Sequence, residues 1–228
     1  MCPHRRLRGV TSARGTYHHG DLRAALIDAG VDLARETGAA AVVLREVTRR
    51  AGVTPRAAYR HFADRDALLR AVARVALGRM ARTVEEGLAG AADGAADGAA
   101  ALTAVGEGYI RFALDEPGLF DVGLFAMEDM AEVDAPEAGG GAGRSPYHQL
   151  HDALARLVAE GRLAPGSVDG AALICWSGVH GYATLAALGP LRSLPRSERD
   201  AAASVVVAGL VRAVASGRPG GDGAPTAP

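Results

Sequence analysis

Apolar positions along the chain recur at intervals of three and four residues, and the strict alternation of a half-buried strand appears nowhere, so the pattern predicts an all-α fold. Leu22, Leu26, Ala29 and Leu33 share one face of a first helix, with Asp21 near its start and Gly38 just past its end. Leu44, Val47 and Ala51 mark a second helix, stopped by Gly52. Thr54 offers a side-chain oxygen as an N-cap, and Pro55 has the fixed φ suited to a first helical turn, which predicts a short third helix from Pro55 to about Phe62. Asp64 can cap a long fourth helix through Leu68, Leu69, Val72 and Val75 that leads out of the first domain. Later helices fit Leu102 to Leu114, Gly118 to Met127, Tyr147 to Glu160, Val168 to Leu188 and Arg196 to Ala215. The repeat GAADGAADGAA, 90–100, predicts a helix end and a linker, and the Gly-rich stretch 132–146 is expected to hold no fixed conformation.

Charge divides the chain in the same place as the helices. All 25 basic residues are Arg. Residues 1–65 carry twelve Arg against six acids, a balance of +6, and the remainder carries thirteen against twenty, or −7. A basic N-terminal block on an acidic body predicts that the first part meets a polyanion. With 49% hydrophobic residues in 228, the chain can supply a real core for two small domains or one large one. Cys2 and Cys175 have neither disulfide nor zinc spacing, and MCPHRRLRGV has no apolar stretch after its basic residues, so the expected compartment is the cytoplasm. Gly170 to Leu191 holds 22 residues without a formal charge, but its glycines, Ser177, Thr184 and central His180 fit a helix buried in a soluble assembly better than a membrane span.

Two short helices separated by Gly52, Val53 and Thr54, with an apolar helix before them, describe a helix-turn-helix whose second helix enters the major groove of DNA. In PRAAYRHF, Ala58 and Phe62 can face the core, leaving Arg56, Ala57, Tyr59, Arg60 and His61 around the exposed surface. Arg56 or Arg60 can donate two hydrogen bonds to guanine, small Ala57 admits base edges, and Tyr59 and His61 suit phosphates. Arg35, Arg49 and Arg50, taken singly, read as solvated surface charges.

The stretches YHHGDLRAALIDAG and LREVTRRAGVTPRAAYRHFADRDALLRAV together resemble the DNA-binding domain of the TetR family. The resemblance implies phosphate contacts by Tyr59 and His61, an Arg65 where the family usually has a phosphate-binding Lys, Arg45 beside the bases, and sequence reading by Pro55, Arg56 and Ala57. Two positions depart from the family pattern. Val43 stands where a Ser or Thr usually caps the second helix, and Thr48 stands where Ala is usual, so its hydroxyl needs a partner such as a main-chain carbonyl one turn back.

YIRFALDEPGLFDVGLF and WSGVHGYATL resemble TetR-like regulators with a WHG-type C-terminal domain, Trp176, His180 and Gly181 matching that motif. Trp176 and His180 are four apart on one helix face, where they line either a ligand pocket or the core. The same two readings apply to Phe112, Phe125 and Met127, the other candidate ligand contacts. Gly178 and Gly181 permit close helix contact, and with Val206, Leu210 and Val214 they predict a dimer interface built from two helices of each subunit, the place the resemblance also implies.

The expected protein is a homodimer that holds a pseudo-palindromic operator in double-stranded DNA and leaves it when an unidentified small-molecule effector binds. Its parts are a flexible arm over 1–15, a DNA-binding domain over 16–76 with the helix-turn-helix at about 44–63, an effector-binding and dimerisation domain over 77–216, and a tail over 217–228. Two alternatives stand beside it: a regulator answering to a protein partner or to no effector, and a small-molecule carrier with a vestigial DNA-binding domain. No catalytic constellation, phosphate loop or metal-ligand cluster is visible, so neither an enzyme nor a cofactor is expected.

Overall fold

A computed structural model describes residues 22–91, 97–125, 133 and 135–215. The described residues form nine α-helices and no strand: α1 Leu22–Thr37, α2 Leu44–Arg50, α3 Pro55–Ala58, α4 Arg65–Ala91, α5 Gly98–Asp115, α6 Pro117–Phe125, α7 Pro146–Ala159, α8 Val168–Ala187 and α9 Arg196–Ala215. The arm, the pair His18 and His19, Met127, Met130 and the tail lie outside the described residues.

Most helix ends fall where the sequence signals them. Asp64 Oδ1 accepts from Ala67 N at 2.7 Å and fixes the start of α4. Two ends differ. Asp97 caps α5 through Ala100 N at 2.8 Å, so the helix begins at Gly98, inside the repeat expected to be a linker. The third helix is α-helical only over Pro55–Ala58 and continues to Phe62 as hydrogen-bonded turns, and Thr54 makes no side-chain capping bond.

The expectation of an unfixed conformation over 132–146 is corrected for residues 135–145. Glu85 of α4 accepts from Gly141 N at 2.8 Å and Ala142 N at 3.1 Å, and the segment closes on itself through Gly140 N to Arg144 O at 3.1 Å. Ala138 is fully buried. Anchoring to α4 outweighs the conformational freedom of the glycines, an effect that local composition does not encode.

One hydrophobic core runs through α1–α4 and on into α5, α6, α8 and α9, and a second cluster joins α4, α5, α7, α8 and α9. Helix α4 belongs to both domains. Leu68, Leu69 and Val72 pack with Leu26, Val47 and Phe62, while Leu77 and Met80 further along face the body. Helix α6 docks on the end of α1: Glu116 pairs with Arg35, Asp121 Oδ2 accepts from Ala39 N at 3.1 Å, and a Cβ at Gly118 would lie 2.0 Å from Ala34 O. Only a glycine permits that approach. No helix among the described residues is long and apolar enough to cross a membrane.

Gly118→Ala is therefore expected to lower the unfolding free energy by about 1–3 kcal/mol through overpacking. Gly90→Ala, where nothing lies within 4 Å of the added carbon, serves as the control and should be neutral or stabilising by up to about 1 kcal/mol. Urea denaturation at one protein concentration checks both.

Candidate functional site

Two sites share α4, one at its start and one at its middle. The first is the surface of α2 and α3. The turn between them needs Gly52 at φ 69°, a left-handed conformation, and Val53 N closes it by donating to Thr48 O at 3.0 Å. Val43 occupies the N-cap of α2 without a side-chain bond, and packing of the buried Leu44 and Val47 holds the helix start. The Thr48 hydroxyl donates to Arg45 O at 2.9 Å, the main-chain partner that its burial requires.

Ala58 and Phe62 are buried, and Arg23 lies over the Phe62 ring at 5.5 Å. Thr54, Pro55, Arg56, Tyr59 and Arg60 are exposed, with Ala57 and His61 half-buried beside them. Tyr59, at 58% exposure, stands out from the surface rather than packing beneath α1. The arginines fall into two groups. Arg35 pairs with Glu116, Arg49 with Glu46 and Arg50 with Glu36, and these contacts hold Glu46 and Glu116 below the usual carboxylate range. Among the described residues, nothing pairs with Arg56 or Arg60, and Arg45 interacts with Glu46 only through its charge.

Arg65 differs from the rest of the expected DNA-facing set. Its Nε donates to Val42 O at 2.9 Å and its Nη2 to Ala39 O at 2.8 Å, so the guanidinium ties the first turn of α4 to the segment between α1 and α2. Two of its N–H groups thus have main-chain partners, and only the others can reach outward.

The second site is a cleft in the body of about 650 Å3, its mouth included. Leu77 and Met80 of α4, Val105 and Tyr109 of α5, Trp176 of α8 and Leu210 of α9 line it, and Val133, Tyr147 and Leu150 close another side. Tyr109 Oη lies 2.8 Å from His180 Nδ1. Burial raises the Tyr109 hydroxyl well above its ordinary value, lowers His180 below 6.5 and pushes the Cys175 thiol up to about 11, so all three are neutral at pH 7.

Of the expected ligand contacts, Trp176 lines the cleft, and His180 stands behind Tyr109. Phe112 is buried in the core away from the cleft. Phe125 ends α6 with its side chain outside the described set, and Met127 lies outside it altogether. Sequence reading missed Tyr109. Its one signal was a place in the i, i+3, i+4 pattern of α5, where a tyrosine looks like core.

The expected dimer residues separate in the same way. A Cβ at Gly178 would meet Leu210 of the same chain at 2.7 Å, Leu210 lines the cleft, and Val214 is 5% exposed, so these three pack α8 on α9 internally. Val206 is half-buried, and Gly181 alone of the five lies on the open outer face. That face carries Leu173, Ile174, Leu185 and Val205, 46–70% exposed. Leu173, Ile174 and Leu185 lie on α8 and Val205 on α9.

Residues 26–72, from α1 into α4, match the model of bacterial regulatory proteins of the tetR family, and residues 102–222 match the tetracyclin repressor-like C-terminal domain, more than half of the chain. The chain belongs to the TetR family. It is a DNA-binding transcription regulator of that family, and α1–α4 are its DNA-binding end. A Rhodococcus sp. RHA1 protein of unknown function is 28% identical over 89% of this chain and 100% of its own, with a TM-score of 0.68. The same TetR fold is found in the transcriptional regulator FadR of Bacillus subtilis, in complex with stearoyl-CoA (15% identity, 82% of this chain and 97% of that one, TM-score 0.59). It is found too in RolR with its ligand resorcinol (18%, 88% and 90%, TM-score 0.60). No curated protein matches the chain.

Because Arg65 holds the 39–42 segment, Arg65→Ala is expected to cost about 1–3 kcal/mol of stability, the range for charged hydrogen bonds to buried acceptors. Arg56→Ala, with no partner to lose, should stay within about 0.5 kcal/mol. Chemical denaturation separates the two roles.

Proposed function

We propose that this TetR-family protein is a ligand-responsive repressor: a cytoplasmic homodimer that holds a pseudo-palindromic duplex through two copies of α3 and releases it when a small molecule enters the cleft. The observation that carries the proposal is the reach of α4. Its Leu68 and Leu69 form the base on which α1–α3 sit, and its Leu77 and Met80 form a wall of the cleft. A ligand that favours one position of that wall also favours one position of the DNA-binding end, to the extent that it binds one state more tightly than the other.

A second contact series supports the coupling. Tyr109 and His180 meet Phe120 of α6 with ring centroids at 5.9 and 5.8 Å, and α6 rests on α1 through Gly118. FadR and RolR, of the same fold, each hold an organic ligand, which agrees with a ligand cleft in the body here. On the DNA side, the unpaired Arg56 and Arg60 supply charge without an internal competitor among the described residues, and Arg45 adds charge beside Glu46. Arg56 reads a base, while Tyr59, His61 and the free N–H groups of Arg65 hold phosphates. Dimerisation through Leu173, Ile174, Leu185 and Val205 brings two such surfaces into register.

Arg56→Ala is expected to cost on the order of 1–3 kcal/mol in operator affinity and to relax preference at one base position per half-site. Selection of binding sites from random duplexes tests this, and unchanged preference removes Arg56 from the base readers. Ile174→Asp places an ion in the proposed interface and should raise the dimer dissociation constant at least about tenfold, equivalent to 1.4 kcal/mol. Sedimentation showing an equally tight dimer would place the interface elsewhere.

A further inference from the structure

Taking the cleft as the effector site proposed above, we infer that the effector is an uncharged, hydrocarbon-rich molecule and that ionised compounds of the same shape are excluded. Among the described residues that line the cleft, none carries a formal charge. An ion entering it would lose its hydration and find no counter-charge among those residues.

Among the described lining residues, the side chains with a polar N–H, O–H or S–H group are Tyr109, Tyr147, Cys175 and Trp176, all uncharged. The Tyr109 hydroxyl pairs with Nδ1 of His180 at 2.8 Å. Helix α7 borders the cleft with its first two residues, Pro146 and Tyr147. Pro146 has no N–H, and the His148 N–H is taken by the Ser145 hydroxyl at 3.4 Å. The rest of the wall is hydrocarbon surface from Leu77, Val105, Leu150, Val179, Val207 and Leu210.

The test uses the full chain, N-phenyl-1-naphthylamine as an uncharged fluorescent probe, and three competitors of one length: decan-1-ol, decanoate and decylammonium, each below its micelle concentration at neutral pH. The probe is expected to bind with energy transfer from Trp176, the single tryptophan. Decanol should displace it at concentrations at least about tenfold lower than either ion. Val105→Phe and Leu150→Trp each fill the cleft, and a folded variant of either is expected to lose the probe. Equal potency of the three competitors, or preference for an ion, overturns the uncharged class while leaving the cleft as an effector site. Failure of the probe to bind, or its retention in a folded filling variant, overturns both, and operator binding measured on the same samples reports separately on the DNA-binding end.

Discussion

From Leu68 to Ala81, helix α4 has no exposed residue, and this double burial constrains everything else in the molecule. A helix with one solvent face can shift by sliding over its neighbours, whereas one packed on several sides moves only if those neighbours repack. The first part of α4 is the floor of α1–α3 and its middle a wall of the cleft, so the two sites share a single close-packed element. At 27 residues and roughly 40 Å it spans both domains without a hinge. Two domains on sequence grounds are therefore one mechanical unit on structural grounds.

The docking of α6 on α1 reinforces that unity at a second place. The Gly118 approach to Ala34, the Arg35–Glu116 pair and the bond from Ala39 N to Asp121 cluster where the chain passes from the DNA-binding end to the body. Exposed ion pairs of this kind add little energy singly. Their effect is geometric, since together they fix how α6 lies against α1 while Phe120 on the same helix touches Tyr109 and His180.

Arginine, the only strong base in the chain, illustrates how context assigns different work to one side chain. Arg49 and Arg50 are matched by nearby acids, Arg65 by carbonyls, and Arg56 and Arg60 by nothing described. An unpaired guanidinium is available to a phosphate or a base at no cost in broken internal contacts. Net charge located the basic end, but pairing decides which of its charges can act.

What the sequence by itself determined was whatever depends on neighbours along the chain: the periodicity of the nine helices, the caps at Asp64, the turn at Gly52 and the burial of Ala58 and Phe62. Those features arise from interactions within a few residues, so a local pattern records them. Tertiary structure alone decided the rest. Tyr109 meets His180 across 71 positions, Glu85 fixes a glycine-rich segment 56 positions away, and Leu210 fills the space left by Gly178, which turns an expected interface glycine into an internal one. A stripe of apolar residues looks the same whether it faces its own core or a second molecule. Only the positions of the other helices distinguish Val214, buried, from Ile174, exposed, because burial is a property of what packs against a residue and not of the residue itself.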